Sequence, residues 1–166
     1  MQVKLLKEVC HLISDFHCGN EMMDEYFQCK ATDDDDAVTY CFLEDDLKTI
    51  IALSSLSCNG IITTSSSKIS TYPAVEIKMF AVNDSYKGAC IPDGDGEHYS
   101  AWCFDRTIAI IMQFTENHCG AGRTFLYSVP NAEKFYRRRG MELFTEYMHP
   151  DDRPYLDGCI PMFMLL

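Results

Sequence analysis

The apolar and polar positions in the first part of the chain predict one short strand followed by one helix. The strand is expected at residues 2–6. The helix is expected over roughly residues 21–31, with Asn20 or a neighbouring residue opening it. Its apolar positions recur at helical spacing, at Met22, Met23, Tyr26 and Phe27.

Three further strands are predicted in the middle of the chain. Residues 37–44 and 49–57 are rich in β-branched and aromatic side chains, which favours two strands joined as a hairpin. Residues 63–68 are polar and indicate a flexible loop. The third strand is expected directly after Pro73, over residues 74–82.

The second half of the chain predicts two helices and three strands. The first helix is expected over residues 100–118, because its apolar residues form one stripe and glycines follow it. The second helix carries Tyr136 and is expected to end at Gly140. The strands are expected at residues 124–128, 141–144 and 160–166.

Two acidic segments are expected on the surface. The four aspartates at residues 33–36 are too charged for a core element and predict a solvated turn. Residues 91–97 combine proline, glycine and acids, which predicts a turn-rich loop. The resulting order, β-α-β-β-β-α-β-α-β-β, indicates an α+β fold around one central sheet.

The length of 166 residues suits a single domain over residues 1–166. No stretch approaches the roughly 18 to 20 apolar residues of a membrane span. The N-terminus lacks the apolar segment of a signal peptide, so we expect a cytoplasmic protein with no membrane partner.

The nine cysteines are scattered, odd in number and never spaced Cys-x-x-Cys. Reduced thiols that act as small hydrophobic side chains explain them best. Cys10-His11 and His17-Cys18 also suggest zinc, but a second pair at finger spacing is missing. We therefore expect no metal site.

The net charge of −11 changes the expected partners. Such a chain repels a phosphate backbone at long range, which argues against nucleic acid as the main partner. It is compatible with a cationic or amine-bearing acceptor, and solubility is the plainer explanation of the same charge.

The last predicted helix and the residues after it resemble a known family. The stretch Ala132-x-x-Phe135-Tyr136-x-x-x-Gly140-Met141 resembles the signature A-x-x-[FL]-Y-x-x-x-G-F of the GNAT acyltransferases. In that family the signature covers the last helix and the strand that follows it. The order of the predicted elements is also similar to that of the family.

The opening of the chain resembles one branch of this superfamily. Residues 16–26 resemble the segment F-x-C-G-x-x-x-L-D-x-[YF]-L of the branch that includes GNAT-type toxins. Ser54-x-x-Ser57 and residues 73–82 match the same branch. The resemblance covers nearly the whole chain and implies the GNAT fold, an α+β fold with a central, mixed, mostly antiparallel sheet flanked by helices.

The resemblance implies an N-acetyltransferase that moves an acetyl group from acetyl-CoA, its cosubstrate, to a primary amine by direct attack. Tyr136 is the implied general acid, since the tyrosine at this position faces the sulfur in the family. The ordinary pKa of a phenol, near 10, suits proton transfer to a thiolate. A core tyrosine on an amphipathic helix is the alternative. The resemblance also allows a homodimer.

The resemblance assigns cofactor binding to the end of the strand at residues 74–82. The backbone of Phe80, Ala81 and Val82 is expected to pair with the pantetheine arm of CoA. The residues leave the general base open between Glu76, Asp84 and a chain of water molecules. Surface charges on a strand explain the two acids equally well.

The phosphate-binding loop departs from the family pattern. Lys87 and Gly88 resemble the start of the family's glycine-rich loop, whose backbone N–H groups bind the pyrophosphate. The glycines that follow are displaced and interleaved with Asp93, Asp95 and Glu97. Either Lys87 and the backbone around Gly88 still hold the phosphates, or CoA binding is weak or lost.

Two alternative functions therefore stay open. A catalytically silent GNAT-fold module that binds a protein partner would follow from a lost phosphate site. A toxin that acetylates aminoacyl-tRNA would follow from the resemblance of residues 16–26.

Overall fold

The computed structural model describes residues 1–92 and 94–166, in which eight strands and three α-helices are found. The strands are β1 Gln2–Leu5, β2 Val38–Leu43, β3 Ile50–Ser65, β4 Lys68–Val82, β5 Arg123–Ser128, β6 Glu142–Leu143, β7 Met148–His149 and β8 Ile160–Leu165. The helices are α1 Glu21–Cys29, α2 Tyr99–Asn117 and α3 Glu133–Arg138.

The strands form one mixed sheet in the order β1-β2-β3-β4-β5-β8-β6, with β7 paired to β3. β4 and β5 run parallel, and their register joins Val75–Ile77 to Thr124–Leu126. The pairs β1–β2, β2–β3, β3–β7, β5–β8 and β6–β8 are antiparallel. The predicted α+β class, with a mixed and mostly antiparallel sheet flanked by helices, is confirmed.

The chain divides into two compact units, each built from two stretches of sequence. The first unit contains residues 1–56 and 78–108, and the second contains residues 57–77 and 109–166. β3 and β4 contribute residues to both units. The expectation of a single domain over residues 1–166 stays a prediction.

The core of the first unit forms around α1. Asn20 caps this helix, because its side-chain oxygen accepts a hydrogen bond from the Met23 N–H at 3.2 Å. The helix buries Tyr26 and Phe27, and Phe27 packs edge-to-face on Phe16 at 5.8 Å between ring centroids. The expected opening of this helix is confirmed, and its end falls two residues early, at Cys29.

The core of the second unit is smaller and aromatic. Ile61, Ala74, Phe125 and Phe163 are buried together. Partly buried Tyr127, Phe144 and Met148 pack against them. β5 supplies Phe125 and Tyr127, which lie two positions apart and therefore point to one face of the strand.

The strands β3 and β4 are both longer than predicted, and a two-residue turn joins them. The flexible loop expected at residues 63–68 is wrong, because β3 continues to Ser65 and β4 begins at Lys68. Ser66 takes a positive φ of 57° to close the turn. The extension of β3 is paired with β7, a strand that polar residues around Met148 and His149 did not predict.

The cysteines divide between the interior and the surface. Three are buried, at Cys18, Cys41 and Cys103, and all nine are free thiols. Burial raises the pKa of Cys41 and of Cys103 to about 12. These thiols stay protonated at neutral pH and behave as small hydrophobic side chains. Cys10, Cys29, Cys58 and Cys90 are exposed instead.

Within residues 1–92 and 94–166, no helix combines the length and the apolar character needed to cross a bilayer.

Candidate active site

α3 carries Tyr136, the predicted general acid. The helix ends two residues after it, at Arg138, where the Tyr136 carbonyl accepts hydrogen bonds from the N–H groups of Arg139 and Met141 at 3.0 and 3.1 Å. Gly140 follows with φ +88°, a conformation that favours glycine, so the predicted helix end is confirmed. Tyr136 therefore occupies the last turn of a short helix.

Tyr136 is more deeply buried than its neighbour Phe135. The tyrosine is 8% exposed, while Phe135 is half-buried with its ring centroid 5.1 Å from that of Tyr136. Burial raises the pKa of Tyr136 above the ordinary value of a phenol. A phenol is protonated at neutral pH even at its ordinary pKa, so burial leaves the hydroxyl in the same state and makes it a weaker acid than the sequence predicts.

The end of β4 is anchored firmly in the first unit. Ala81 and Val82 are buried, and half-buried Phe80 packs edge-to-face on Phe104 at 5.4 Å. Asn83, directly after the strand, donates from its backbone to Ile51 O at 2.9 Å and from its side chain to Ile50 O at 3.2 Å. The three residues predicted to bind pantetheine thus lie on a fixed strand end.

Lys87 is already engaged within the chain. Its ammonium group pairs with the Asp84 carboxylate at 2.7 Å and donates a hydrogen bond to the Cys18 carbonyl. Its side chain is about half exposed. Gly88 takes φ +71°, and the space that a Cβ would enter is open. Gly88 can bring its backbone close to a phosphate, whereas Lys87 shares its charge with Asp84.

The loop after Gly88 is folded back on itself. Cys90 and His98 form an antiparallel bridge, and the Ile91 N–H donates to Glu97 O at 2.8 Å. Asp95 and Glu97 are exposed, and Asp95 has a positive φ of 50°. Asp93, the third acid expected to repel a pyrophosphate, lies outside the described residues. The predicted turn-rich character of this loop is confirmed.

Glu76 of β4 is a buried carboxylate in the second unit. It is 2% exposed, so the explanation as a surface charge is wrong for this residue. Its Oε1 accepts a hydrogen bond from the Arg153 guanidinium. Its Oε2 accepts from Asn59 Nδ2 at 2.9 Å and from Ser57 Oγ at 3.4 Å. Asp84, the other acid considered as a base, is exposed as expected.

Arg153 also connects Glu76 to three neighbouring groups. Its Nε lies 3.0 Å from an Asp151 carboxylate oxygen, and its Nη1 donates to Tyr155 Oη at 2.6 Å. Its guanidinium carbon lies 5.7 Å from the centre of the Tyr127 ring. The arginine therefore fixes the segment around residues 151–155 beside the aromatic core of its unit.

Asp34, expected in a solvated turn, is a second carboxylate with a structural role. It accepts hydrogen bonds from Tyr26 Oη at 2.7 Å and from Lys78 Nζ at 2.6 Å. Tyr26 also hydrogen-bonds to Ser55 at 2.9 Å. Burial disfavours the charged form of Asp34, but the hydrogen bonds outweigh it and hold the pKa of this carboxyl below its ordinary value.

The structure distributes the predicted site residues between the two units. Phe80, Ala81, Val82, Lys87 and Gly88 lie in the first unit, and Tyr136 lies in the second. Asp34 and Arg153 were missed altogether. The only signal for Arg153 was its isolation as a cation between Asp151-Asp152 and Pro154-Tyr155. In the described ranges 1–92 and 94–166, no group of three or more His, Cys, Asp or Glu side chains could hold a metal ion.

Comparisons with known proteins identify the fold. No family model and no curated protein matches the sequence. Among solved structures, AtaT complexed with acetyl-methionyl-tRNAfMet has a TM-score of 0.72 at 12% identity, covering 99% of this chain and 94% of that chain. A mutant AtaT toxin bound to the C-terminus of the antitoxin AtaR and acetyl-CoA has a TM-score of 0.69 at 13% identity, covering 99% and 92%.

A third structure, described as a bacterial toxin, has a TM-score of 0.69 at 16% identity and covers 90% of this chain and 80% of that chain. At such identities the likeness shows the fold alone, and the chain has the GNAT fold. The expectation against a nucleic-acid partner is at odds with the tRNA-bound neighbour.

Proposed function

We propose that this chain is an acetyl-CoA-dependent N-acetyltransferase that acetylates a primary amine, with Tyr136 as the general acid. The observation that carries the proposal is the buried Tyr136 in the last turn of α3, at the position where the GNAT signature has its tyrosine. The GNAT fold of the chain supports the proposal, because solved structures with this fold are bound to acetyl-CoA or to an acetylated aminoacyl-tRNA.

The proposed reaction is a direct displacement at the thioester carbonyl. The neutral amine forms the new C–N bond as the C–S bond breaks. Tyr136 gives its proton to the departing thiolate, and the proton lost by the amine leaves through water and restores the phenol. Positioning of the two reactants supplies much of the acceleration.

The end of β4 and the turn after it would hold the cosubstrate. The backbone of Phe80, Ala81 and Val82 would pair with the pantetheine arm, which suits a strand end that is held in place by Asn83. The Gly88 backbone would approach the pyrophosphate, since no atom lies within 4 Å of the place that a Cβ would take at this residue. Lys87 would leave its ion pair with Asp84 and bind a phosphate oxygen of the cosubstrate instead.

A chain of water molecules is the better candidate for the general base. Both carboxylate oxygens of Glu76 already accept hydrogen bonds, from Arg153 on one side and from Asn59 and Ser57 on the other. A carboxylate neutralised in this way is a weak acceptor for an amine proton. We therefore assign Glu76 a structural role.

The first test separates binding from chemistry. Millimolar acetyl-CoA should raise the melting temperature of the wild type, since a ligand selective for the native state stabilises it. Tyr136→Phe should keep this shift but lose about a hundredfold in turnover, measured as CoA release with a panel of primary amines. Tyr147→Phe, which removes a hydroxyl from an exposed position, is the matched control and should retain full turnover.

The outcomes distinguish the remaining alternatives. Absence of any melting shift would overturn acetyl-CoA binding. A melting shift without turnover on any amine would favour the silent binding module. Equal turnover of Tyr136→Phe and wild type would remove this tyrosine from the mechanism. A homodimer and a cytoplasmic location also stay proposals, and sedimentation of the purified chain tests the first.

Aminoacyl-tRNA is a second candidate acceptor, favoured by the likeness to AtaT complexed with acetyl-methionyl-tRNAfMet. The basic side chains Arg137, Arg138 and Arg139 at the end of α3 are the local charges that would meet RNA. Expression should then arrest growth, and the chain should acetylate charged tRNA but not the free amino acid. Harmless expression together with acetylation of small amines alone would exclude this candidate.

A further inference from the structure

The second unit contains a cavity of about 400 Å³ beside β5 and the segment that follows β7. This volume falls in the range of small-molecule sites, roughly 300 to 1,000 Å³. Three aromatic side chains line it: Phe125, Tyr127 and Phe144. Their ring centroids lie 6.1 to 6.5 Å apart, and their planes are inclined to one another. The rings therefore form a joined apolar wall.

The polar side of the same cavity is acidic. Asp151 and Asp152 line it, and no lysine or arginine is found among its lining residues in the described chain. The Tyr127 hydroxyl accepts a hydrogen bond from the Asp151 N–H at 2.5 Å, which ties the acidic segment to the aromatic wall. Carboxylates and aromatic faces attract cations, and Arg153 already takes up part of this attraction at Asp151 and Tyr127, which leaves Asp152 as the carboxylate for a ligand.

The walls are held in place before any ligand arrives. The buried Glu76 pairs with Arg153, and Arg153 lies 3.0 Å from the Asp151 carboxylate. On another side, His149 Nε2 lies 2.6 Å from Thr64 Oγ1, and its backbone pairs with Ile62 of β3. Such preorganisation lowers the cost of binding, because the side chains are already ordered.

We propose that this cavity binds an organic cation, namely a primary ammonium group carried on an apolar or aromatic body. The aromatic wall packs against the body of the ligand, and the carboxylate of Asp152 attracts its charge, since that of Asp151 is already paired with Arg153. The assignment of this cation as the acetyl acceptor rests on the proposed function, whereas binding of the cation does not. The net charge of −11 then has a local counterpart in the acceptor site.

The binding test needs no acetyl-CoA. 2-Phenylethylammonium is the probe, and 3-phenylpropanoate, which has a similar apolar body and the opposite charge, is its control. Titration calorimetry or NMR at low ionic strength should show at least about tenfold tighter binding of the ammonium, since like charges repel the anion. Equal affinity for both compounds, or no binding of the ammonium at millimolar concentration, would overturn the proposal.

Two variants with matched controls locate the site. Asp152→Asn should weaken the probe about three- to tenfold, whereas Glu146→Gln, an exposed acid outside the lining, should not change its affinity. Phe144→Leu should weaken it about two- to fivefold, against no change for Phe114→Leu on α2. Asp152 is exposed, so its variant keeps the fold even if Phe144→Leu does not. Affinities unaffected by both cavity variants would overturn the proposal.

A turnover assay separates this proposal from the proposed function. Acetylation of the probe that declines in parallel with its affinity in Asp152→Asn supports the cavity as the acceptor site. Binding of the probe while the chain acetylates only other amines overturns that assignment and leaves the proposed function intact. If acetyl-CoA does not bind, the proposed function is overturned. The affinity of the cavity for the cation is measured without acetyl-CoA and still tests the cavity.

Discussion

β4 forms two ion pairs with segments that are distant in the sequence. The strand supplies the cation in one pair and the acid in the other. In the first unit the strand supplies the cation, Lys78, and the loop before β2 supplies the acid, Asp34, at 2.6 Å. In the second unit, two positions earlier on the strand, Glu76 supplies the acid and the segment before β8 supplies Arg153.

The two pairs differ in how deeply their charges are buried. The difference lies in the acids, since the Glu76 side chain is 3% exposed and that of Asp34 13%, whereas the cations Arg153 and Lys78 are 25% and 19% exposed. Water can screen the pair in the first unit in part, but Glu76 depends on its protein donors alone. The depth at which the acid is buried therefore sets how much stability is lost when its cation is removed.

The largest expected effect comes from breaking the deeper pair. Arg153→Met keeps much of the side-chain volume but leaves Glu76 buried without its cation. We expect the free energy of unfolding to fall by about 3 kcal/mol, measured by urea denaturation. Arg138→Met, which removes an exposed arginine from α3, is the control and should change stability by less than about 0.5 kcal/mol. Equal losses in the two variants would show that burial does not distinguish them.

A smaller effect is expected at the pair of the first unit. Asp34→Asn should cost about 2 kcal/mol at pH 7, because Lys78 and Tyr26 lose a charged acceptor. The folded state lowers the pKa of Asp34. Its contribution is therefore complete above the unfolded value, near pH 4, and is lost as the pH falls through the folded value.

Unfolding curves measured from pH 7 down to pH 2 check this sign. The stability difference between wild type and Asp34→Asn should shrink at acidic pH. A difference that is constant with pH would mean that the carboxylate charge of Asp34 contributes nothing to stability.

Tyr26→Phe tests the contribution of one hydrogen-bond donor to Asp34, the Tyr26 hydroxyl, while Lys78 stays in place. We expect a loss of about 1 kcal/mol, since the hydroxyl bonds to both Asp34 and Ser55. The pKa of Asp34 should rise towards its ordinary value, so the acid limb of the stability curve should move to higher pH. NMR titration of the Asp34 carboxyl carbon measures this directly, and an unmoved pKa would contradict it.

The smallest effect is expected at Ser57, the weakest donor to Glu76. Its Oγ lies 3.4 Å from Oε2, whereas Asn59 donates at 2.9 Å. Ser57→Ala should therefore cost less than about 0.5 kcal/mol, while Asn59→Ala should cost about 1 kcal/mol in the same denaturation assay. The reverse order would show that the serine is the stronger partner.

Local patterns predicted most of the elements of this fold. The helical spacing of Tyr26 and Phe27 and the capping ability of Asn20 are encoded within a few residues, so α1 was predicted with nearly correct ends. The prediction for residues 63–65 was wrong because their polar side chains indicate a loop, whereas β3 continues there through backbone pairing with β7. Pairing of that kind depends on distant residues rather than on local preference.

The polar site residues were harder to predict than the elements. Glu76 lies between Val75 and Ile77, where a lone acid reads as a surface charge. Its burial becomes understandable only with Arg153, which is 77 residues away in the sequence. Asp34 was hidden in the same way among three other aspartates, since its partner Lys78 is 44 residues away.

The same sequence separation gives the Glu76–Arg153 pair a role in the rate of unfolding. The β3–β4 hairpin closes through a two-residue turn, and such local contacts form early during folding. We expect a contact across 77 residues to form late, and an interaction that is absent from the folding transition state slows unfolding without speeding folding. We therefore expect the ion pair between Glu76 and Arg153 to lower the unfolding rate and so to lengthen the lifetime of the folded chain.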